Sequence, residues 1–375
     1  MKRYLYDRIL KDLKKKMVFL TGPRQVGKTF LAKQIANEFT NPQYLNFDDY
    51  DGRNIIKNRL WKLDSDLLIF DEIHKMEGWK SFIKGIYDTK PTGQSIIVTG
   101  SARLDILRQS GDSLAGRYFH LKLNPLSVSE LKGSETPYSI VEKLGDLGPF
   151  PEPFLSGSKI ESVRWRNQYF SEIVRDDILD FSRINEVKTM KLLLEMLRRR
   201  VGSPLSLNSL SEDLEVSPNT VKKYIEILED LYIIFMIRPF HNLIHRSIKK
   251  SPKLYFYDTG FVLGDDGIKL ENTVALSLLK HTRYLQDTKG EGVRLNYMRT
   301  RTGKEIDFVI VKDNVPEYMI EVKLSEKKMN KNLIYFSEKF PESEKIQLVH
   351  NLRDDFDYKG IKFRKAGEWL SELSA

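Results

Sequence analysis

The first 125 or so residues alternate short apolar runs with amphipathic stretches, the pattern of a parallel sheet covered by helices on both faces. The runs "MVFLTG", "QYLNFDD", "LLIFDE" and "SIIVTGSA" predict strands, and "KTFLAKQIANEF" and "WKSFIKGIYDT" predict helices. Proline, glycine and serine then concentrate in "SETPYSIVEKLGDLGPFPEPFLSGS", which reads as a boundary segment holding one short helix. From about Glu161 to Arg238 the period is helical, and the remainder returns to mixed strand and helix with turns at "RTGK" and "KDNVP". The pattern predicts an α/β protein with domains over 1–130, 161–238 and 239–375 and a boundary segment over 131–160.

Composition narrows the function classes. The 375 residues carry 61 Lys and Arg against 52 Asp and Glu, a net charge of +9, which favours a polyanionic partner such as DNA. Short basic runs at Lys14 to Lys16, at Arg198 to Arg200 and after His245 fit that partner or a plain solvated surface equally well. Cysteine is absent, which excludes disulfides and cysteine zinc sites, so any metal must sit on oxygen. No apolar run approaches the ~20 residues of a bilayer span, and the amino terminus lacks a secretory h-region; a cytoplasmic protein is expected.

The chemistry begins at "GPRQVGKTF". Gly22, Gly27, Lys28 and Thr29 fit the phosphate-loop spacing between an apolar strand and a helix, with Pro23, Arg24, Gln25, Val26 and Phe30 completing the loop around ATP. Glycines allow the tight turn, backbone N–H groups face the phosphates, Lys28 reaches the β and γ phosphates, and the Thr29 hydroxyl ligates Mg²⁺. At the end of the buried strand "LLIFDE", Asp71 is the second metal-facing group and Glu72 the residue that orients attacking water; a helix-capping acid pair is the plainer alternative. Ser101, after the fourth strand, is either a γ-phosphate sensor or part of a strand-ending turn.

The segments "GPRQVGKT", "LLIFDEIHK", "VTGSAR" and "LAGRYFHLKLNPLSVSE" resemble those of archaeal and bacterial AAA-type ATPases that have a short ATPase domain and a carboxyl-terminal extension. The resemblance implies that Arg117, with Arg103 as the competing candidate, supplies a charge-stabilising arginine within the chain or to a neighbouring subunit of a homo-oligomer.

In the helical middle, "LNSLSEDLEVSPNTVKKYIEILEDLYIIF" has the pattern of a winged helix-turn-helix, with Ser217 capping the second helix and Pro218 at its first position. Val221, Ile225, Leu228 and Tyr232 form its buried face, leaving Asn219, Thr220, Lys222 and Lys223 to enter a DNA groove; the same helix carries Glu226, Glu229 and Asp230, and a structural lid is the alternative.

In the last third, "EIDFVIV" and "EYMIEVK" flank a turn around Asp313 and Asn314 and predict an antiparallel hairpin. A turn centred on Asn314 sets Asp307 opposite Glu321, with Lys323 on the same face. Two facing carboxylates repel unless a cation lies between them, which points to a divalent ion with Lys323 orienting its water; a structural Asp307–Lys323 pair is the alternative. The arrangement resembles restriction-endonuclease-like nucleases, in which an Asp precedes Glu-x-Lys on the next strand, and the resemblance implies Glu271 as the earlier acidic ligand. The resulting expectation is an Mg²⁺-dependent ATPase coupled to DNA binding, with DNA cleavage open. A nucleotide-dependent switch whose last domain binds DNA or protein without cutting is the other reading.

Overall fold

The computed structural model describes residues 1–100, 114–173, 184–240, 251–325 and 329–375. Their contacts divide the chain into two compact units, Met1–Pro125 and Leu126–Ala375.

The first unit runs α1 (Tyr6–Leu13), β1 (Met17–Thr21), α2 (Lys28–Ala36), β2 (Pro42–Asn46), α3 (Tyr50–Asn58), β3 (Leu67–Asp71), α4 (Trp79–Thr89), β4 (Ser95–Thr99) and β5 (Tyr118–Lys122). The five strands are all parallel in the order β2-β3-β4-β1-β5. β1 and β3 are buried at every position, which explains their unbroken apolar runs. Phe19, Phe70, Trp79, Ile83 and Val98 are among the buried residues of one core. The register aligns Leu20 with Thr99 and Thr99 with Asp71, so the carboxyl ends of β1, β4 and β3 finish level with one another. That edge is where open parallel sheets collect their ligands.

The second unit carries α5 (Pro137–Leu147), α6 (Pro151–Ser156), α7 (Lys159–Ile173), α8 (Ile184–Leu197), α9 (Leu207–Asp213), α10 (Pro218–Asp230), β6 (Ile234–Pro239), β7 (Lys253–Phe256), α11 (Asp266–Lys289), β8 (Val293–Arg299), β9 (Glu305–Lys312), β10 (Val315–Lys323), α12 (Lys331–Lys339), β11 (Glu344–Val349), β12 (Phe356–Tyr358), β13 (Ile361–Lys365) and α13 (Ala366–Ser371). The expected boundary segment is therefore largely helical. Pro137 and Pro151 open α5 and α6, and Gly148 and Gly157 stand at their ends, so residues that read as a linker are helix punctuation.

A boundary at 238 falls inside β6. This strand pairs antiparallel with β7 and parallel with β8, Arg238 facing Asn296. Both strands thereby join an eight-stranded sheet in the order β12-β13-β11-β10-β9-β8-β6-β7. The segments 161–238 and 239–375 share that sheet and belong to one contact unit, because β6 is committed to it before the helical pattern gives way.

Within the helical middle, the Ser217 side chain accepts a hydrogen bond from the Thr220 N–H and Pro218 opens α10. Val221, Tyr224, Ile225 and Leu228 are its buried face. Asn219, Lys222 and Lys223 are exposed and Thr220 is half-buried. Tyr232 is buried as expected but lies past the helix end, at φ 57°. Among the described residues no helix is long and apolar enough to cross a membrane.

Candidate functional site

The phosphate loop connects β1 to α2. Its backbone needs glycine at two places: Gly22 at φ 145° and Gly27 at φ 97°, both in the left-handed half of the map. A Cβ on Gly22 would lie 2.3 Å from the Leu123 carbonyl oxygen. Lys28, the first residue of α2, is buried and donates to the carbonyls of Gly22 (3.0 Å) and Pro23 (2.6 Å). These bonds hold the ammonium inside the loop, beside the helix N-terminus that attracts phosphate. Val26 is buried, whereas Arg24 is half-buried and Gln25 and Phe30 are exposed, Phe30 by 57%.

Asp71 closes the site from the end of β3. Its Oδ2 accepts from the Thr29 hydroxyl (2.8 Å) and the Tyr44 hydroxyl (2.7 Å), and its Oδ1 accepts from the Thr99 hydroxyl (2.5 Å). Burial and the bond to Asp71 raise the Tyr44 phenol above its usual range, so it stays a donor. The Thr29 and Asp71 oxygens supply a hard, oxygen-only pair of the kind magnesium takes. Glu72 follows at φ 56°, a conformation uncommon for a residue other than glycine, with its N–H bonded to the Thr99 carbonyl at 3.1 Å. Burial pushes the Glu72 carboxyl up against the opposing charges of Lys28 and Lys75, and its Oε2 lies 3.6 Å from the Lys75 ammonium.

Two contributors escape the motif. Arg3 is 3% exposed and donates to the carbonyls of Val26 and Asn124, each at 2.6 Å, so it ties the loop to the segment after β5. Nothing in "MKRYLYD" marks it. Tyr44 sits in "QYLNFDD", which reads only as a strand.

Arg117 lies elsewhere. It precedes β5, and its carbonyl accepts from the N–H of Met17, the first residue of β1. The phosphate loop follows the last residue of β1, five residues on, so about 16 Å of strand separates the two ends. The Arg117 guanidinium grips Asp88 through two bonds, 2.7 and 3.2 Å, and holds that carboxyl below its usual range. Within its own chain Arg117 is therefore at the opposite end of the sheet from Lys28. Ser101 and Arg103 lie outside the described residues.

A second constellation is built in the carboxyl-terminal unit. The hairpin of β9 and β10 turns on Asp313 and Asn314, both left-handed at φ 48° and 69°. That two-residue turn alone would offset the pairing by one. Glu317 is an extra residue between the pairs Pro316–Val311 and Tyr318–Ile310, and the bulge shifts the register so that Ile320 faces Phe308. One step further, Glu321 comes opposite Asp307. The expected pairing is thus reached through a turn and a bulge rather than a turn centred on Asn314.

Glu271 lies in the second turn of α11, not at its start. The adjacent Asn272 anchors that helix to β7, accepting from the Phe256 N–H (2.8 Å) and donating to the Phe256 carbonyl (2.9 Å). Glu271 accepts from the Tyr255 hydroxyl at 2.8 Å. Between the acids stands a residue the sequence did not single out. Lys253 of β7 has a side chain 1% exposed, with Nζ 2.7 Å from Glu305, 3.5 Å from Asp307 and 3.6 Å from Glu271. Lys323 donates to Glu321 Oε1 (2.7 Å), as does the Asn330 amide (2.5 Å), and the Val322 N–H donates to Asp307 (3.0 Å). Glu321 Oε2 is buried with no hydrogen-bond partner among the described residues.

Burial and the Asp307 charge push both Glu271 and Glu321 up to about 7, against Lys253 and Lys323. Among the described residues no three His, Asp or Glu side chains converge as a ready metal cage. The orphaned Glu321 oxygen beside Asp307 nevertheless suits an ion that takes one or two carboxylates and completes its shell with water and phosphate, as magnesium does.

The parallel five-stranded sheet and the phosphate loop define the class: Met1–Pro125 has the fold of a P-loop nucleotide-binding domain. Residues 14–132 match the AAA domain family, and residues 144–268 and 266–363 match two families described as domains of unknown function. An uncharacterized protein of Mycobacterium tuberculosis is 26% identical over 314 residues, spanning 82% of this chain and 70% of that one. One from Methanocaldococcus jannaschii is 27% identical over 339 residues, spanning 81% and 74%. Among solved structures, a Walker-type ATPase of Pyrococcus abyssi aligns over 70% of this chain and 94% of its own, at 13% identity and a TM-score of 0.45.

Proposed function

We propose that this protein is an Mg²⁺-dependent ATPase whose nucleotide cycle changes the hold of its carboxyl-terminal unit on DNA. The observation that carries the nucleotide half is Asp71, fixed by the hydroxyls of Thr29, Tyr44 and Thr99 next to Lys28, with Glu72 one residue further on. Lys28 and the loop N–H groups of Gly22 to Thr29 bind the β and γ phosphates. Thr29 and Asp71 hold the magnesium, which when bound neutralises charge on the phosphate oxygens. Glu72 takes a proton from the attacking water as its oxygen bonds to the γ phosphorus, and the bond to the β-phosphate oxygen breaks to release ADP and phosphate. The burial that raises the Glu72 carboxyl strengthens it as a proton acceptor.

The DNA half rests on the net charge of +9, on the outward Asn219, Lys222 and Lys223 of α10, and on the cluster around Asp307 and Glu321. We read α9, α10 and the β6–β7 pair as a winged helix-turn-helix, and α11 with β8 to β10 as a restriction-endonuclease-like unit. Asp307 and Glu321 would hold one divalent ion there, and Lys323 would orient its water toward a phosphodiester. A second reading keeps the same nucleotide cycle but makes the last unit a grip that does not cut. The ammonium of Lys253 among the carboxylates favours it.

Glu72→Gln tests the nucleotide half. Turnover is expected to fall by roughly 10² to 10⁴ with ATP binding kept, as for loss of a general base. Turnover within twofold of the wild type refutes the assigned role. Incubating supercoiled and branched DNA with Mg²⁺ separates the two readings of the last unit: products that vanish in Lys323→Ala establish cleavage, and intact DNA bound with a steep salt dependence establishes a grip.

A further inference from the structure

The carboxylate cluster has two sides, and they differ in what they lack. On one side Glu305, Asp307 and Glu271 surround the Lys253 ammonium. Lys253 is fixed there by its strand: it pairs with Ile237 of β6 on one edge and bridges Pro204 on the other, and its ammonium lies 5.4 Å from the centre of the Tyr297 ring. An ammonium has three donors, and three carboxylates surround this one. On the other side Glu321 Oε1 is taken by Lys323 and Asn330, while Oε2 is buried and unpartnered among the described residues.

We propose that Lys253 is a resident cation. It fills one of the two places at which Glu271, Asp307 and Glu321 would otherwise draw divalent ions, and it leaves the cluster room for a single such ion, between Asp307 and Glu321. The proposal rests on the metal reading of Asp307 and Glu321 given above and specifies how many ions that site takes.

Charge supports a count of one. Four carboxylates, Glu271, Glu305, Asp307 and Glu321, stand against three cations, Lys253, Lys323 and the Arg299 guanidinium 3.0 Å from Glu305. With all four carboxylates ionised, the state in which they hold a cation, the cluster is one negative charge in excess. One divalent ion turns that into one positive charge, the amount a single phosphodiester neutralises. A second divalent ion would have to lie beside an ammonium 3.5 Å from Asp307, where like charges in a buried setting repel strongly. Geometry agrees, because the Glu271 oxygen that lies 3.6 Å from the lysine is already engaged by the Tyr255 hydroxyl.

The test counts Mn²⁺ bound to the full chain without nucleotide, from the electron paramagnetic resonance of the free ion. Any Mn²⁺ at the phosphate loop is common to all variants and cancels in the differences. Asp307→Asn is expected to bind one ion fewer than the wild type, and Lys253→Met one ion more. A Lys253→Met chain that melts cooperatively and binds the wild-type number overturns the proposal. So does a wild type that loses two ions on Asp307→Asn, a comparison that stands even if Lys253→Met fails to fold. No loss in Asp307→Asn instead refutes the metal reading itself, and the gain in Lys253→Met then decides the lysine's role alone.

Discussion

The two constellations place lysine and carboxylate differently. At the phosphate loop, Lys28 is held by backbone carbonyls and Asp71 is met by three hydroxyls. Lys28 and Asp71 stand on separate elements, and left-handed backbone at Gly22, Gly27 and Glu72 shapes the opening. In the carboxyl-terminal unit, Lys253 and Lys323 sit directly on acids, and Glu321 Oε2 has no partner among the described residues. On the proposed reading, the first site receives an anion and the second a cation. Burying a lysine therefore serves opposite ends, according to whether its partner is the ligand or the protein's own acids.

The sharpest way to break this contrast is Lys28→Ala. It should lower ATP affinity or turnover by roughly 10² or more, the scale for losing one preorganised charge clamp. ATP binding and turnover that both stay within twofold of wild type would remove the anion-receiving reading. Lys323→Met acts on the other side and leaves Glu321 buried with one donor fewer. Loss of about 1–3 kcal/mol is expected at pH 8, read from thermal melts.

The effect should shrink toward pH 5.5, because the Glu321 carboxyl is raised to about 7 from an ordinary 4.5 and is protonated there. By the same sign, the folded protein binds that proton more tightly than the unfolded chain. The stability it contributes is complete below about 4.5 and is lost as the pH rises through about 7. Equal losses at both pH values would contradict this account. The smallest effect is expected of Arg117→Ala in dilute solution, with turnover within twofold of wild type, since its own loop is a strand's length away. A loss confined to concentrations at which chains associate, seen by sedimentation, would place its guanidinium in a neighbour's site.

Legibility followed the same division. The loop was readable because β1, the turn and α2 are contiguous, so backbone requirements leave a fixed spacing of Gly22, Gly27, Lys28 and Thr29. Strands β1, β3 and β4 were readable for a related reason, their apolar runs being buried on both faces. β5 was not identified as a strand, because its "YFHLK" is mostly half-buried and alternates weakly. Asp307, Glu321 and Lys323 could be found through hairpin arithmetic. Lys253 could not, because it belongs to β7, more than fifty residues before Asp307, and only the strand order brings β6 and β7 beside β8. Arg3 was hidden in the same way: its partners Val26 and Asn124 are remote in sequence.

The bulge at Glu317 bears on how such proteins are to be compared by length. Glu317 is the residue in β10 that has no opposite number, so taking it out would relieve the bulge while Tyr318 still faced Ile310 and Glu321 still met Asp307. The interval between the aspartate and the glutamate is therefore free to vary by one without disturbing their meeting. A search that demands a fixed count of residues between them would pass over relatives whose geometry is the same, whereas one that allows a residue more or fewer between the turn and the glutamate would not.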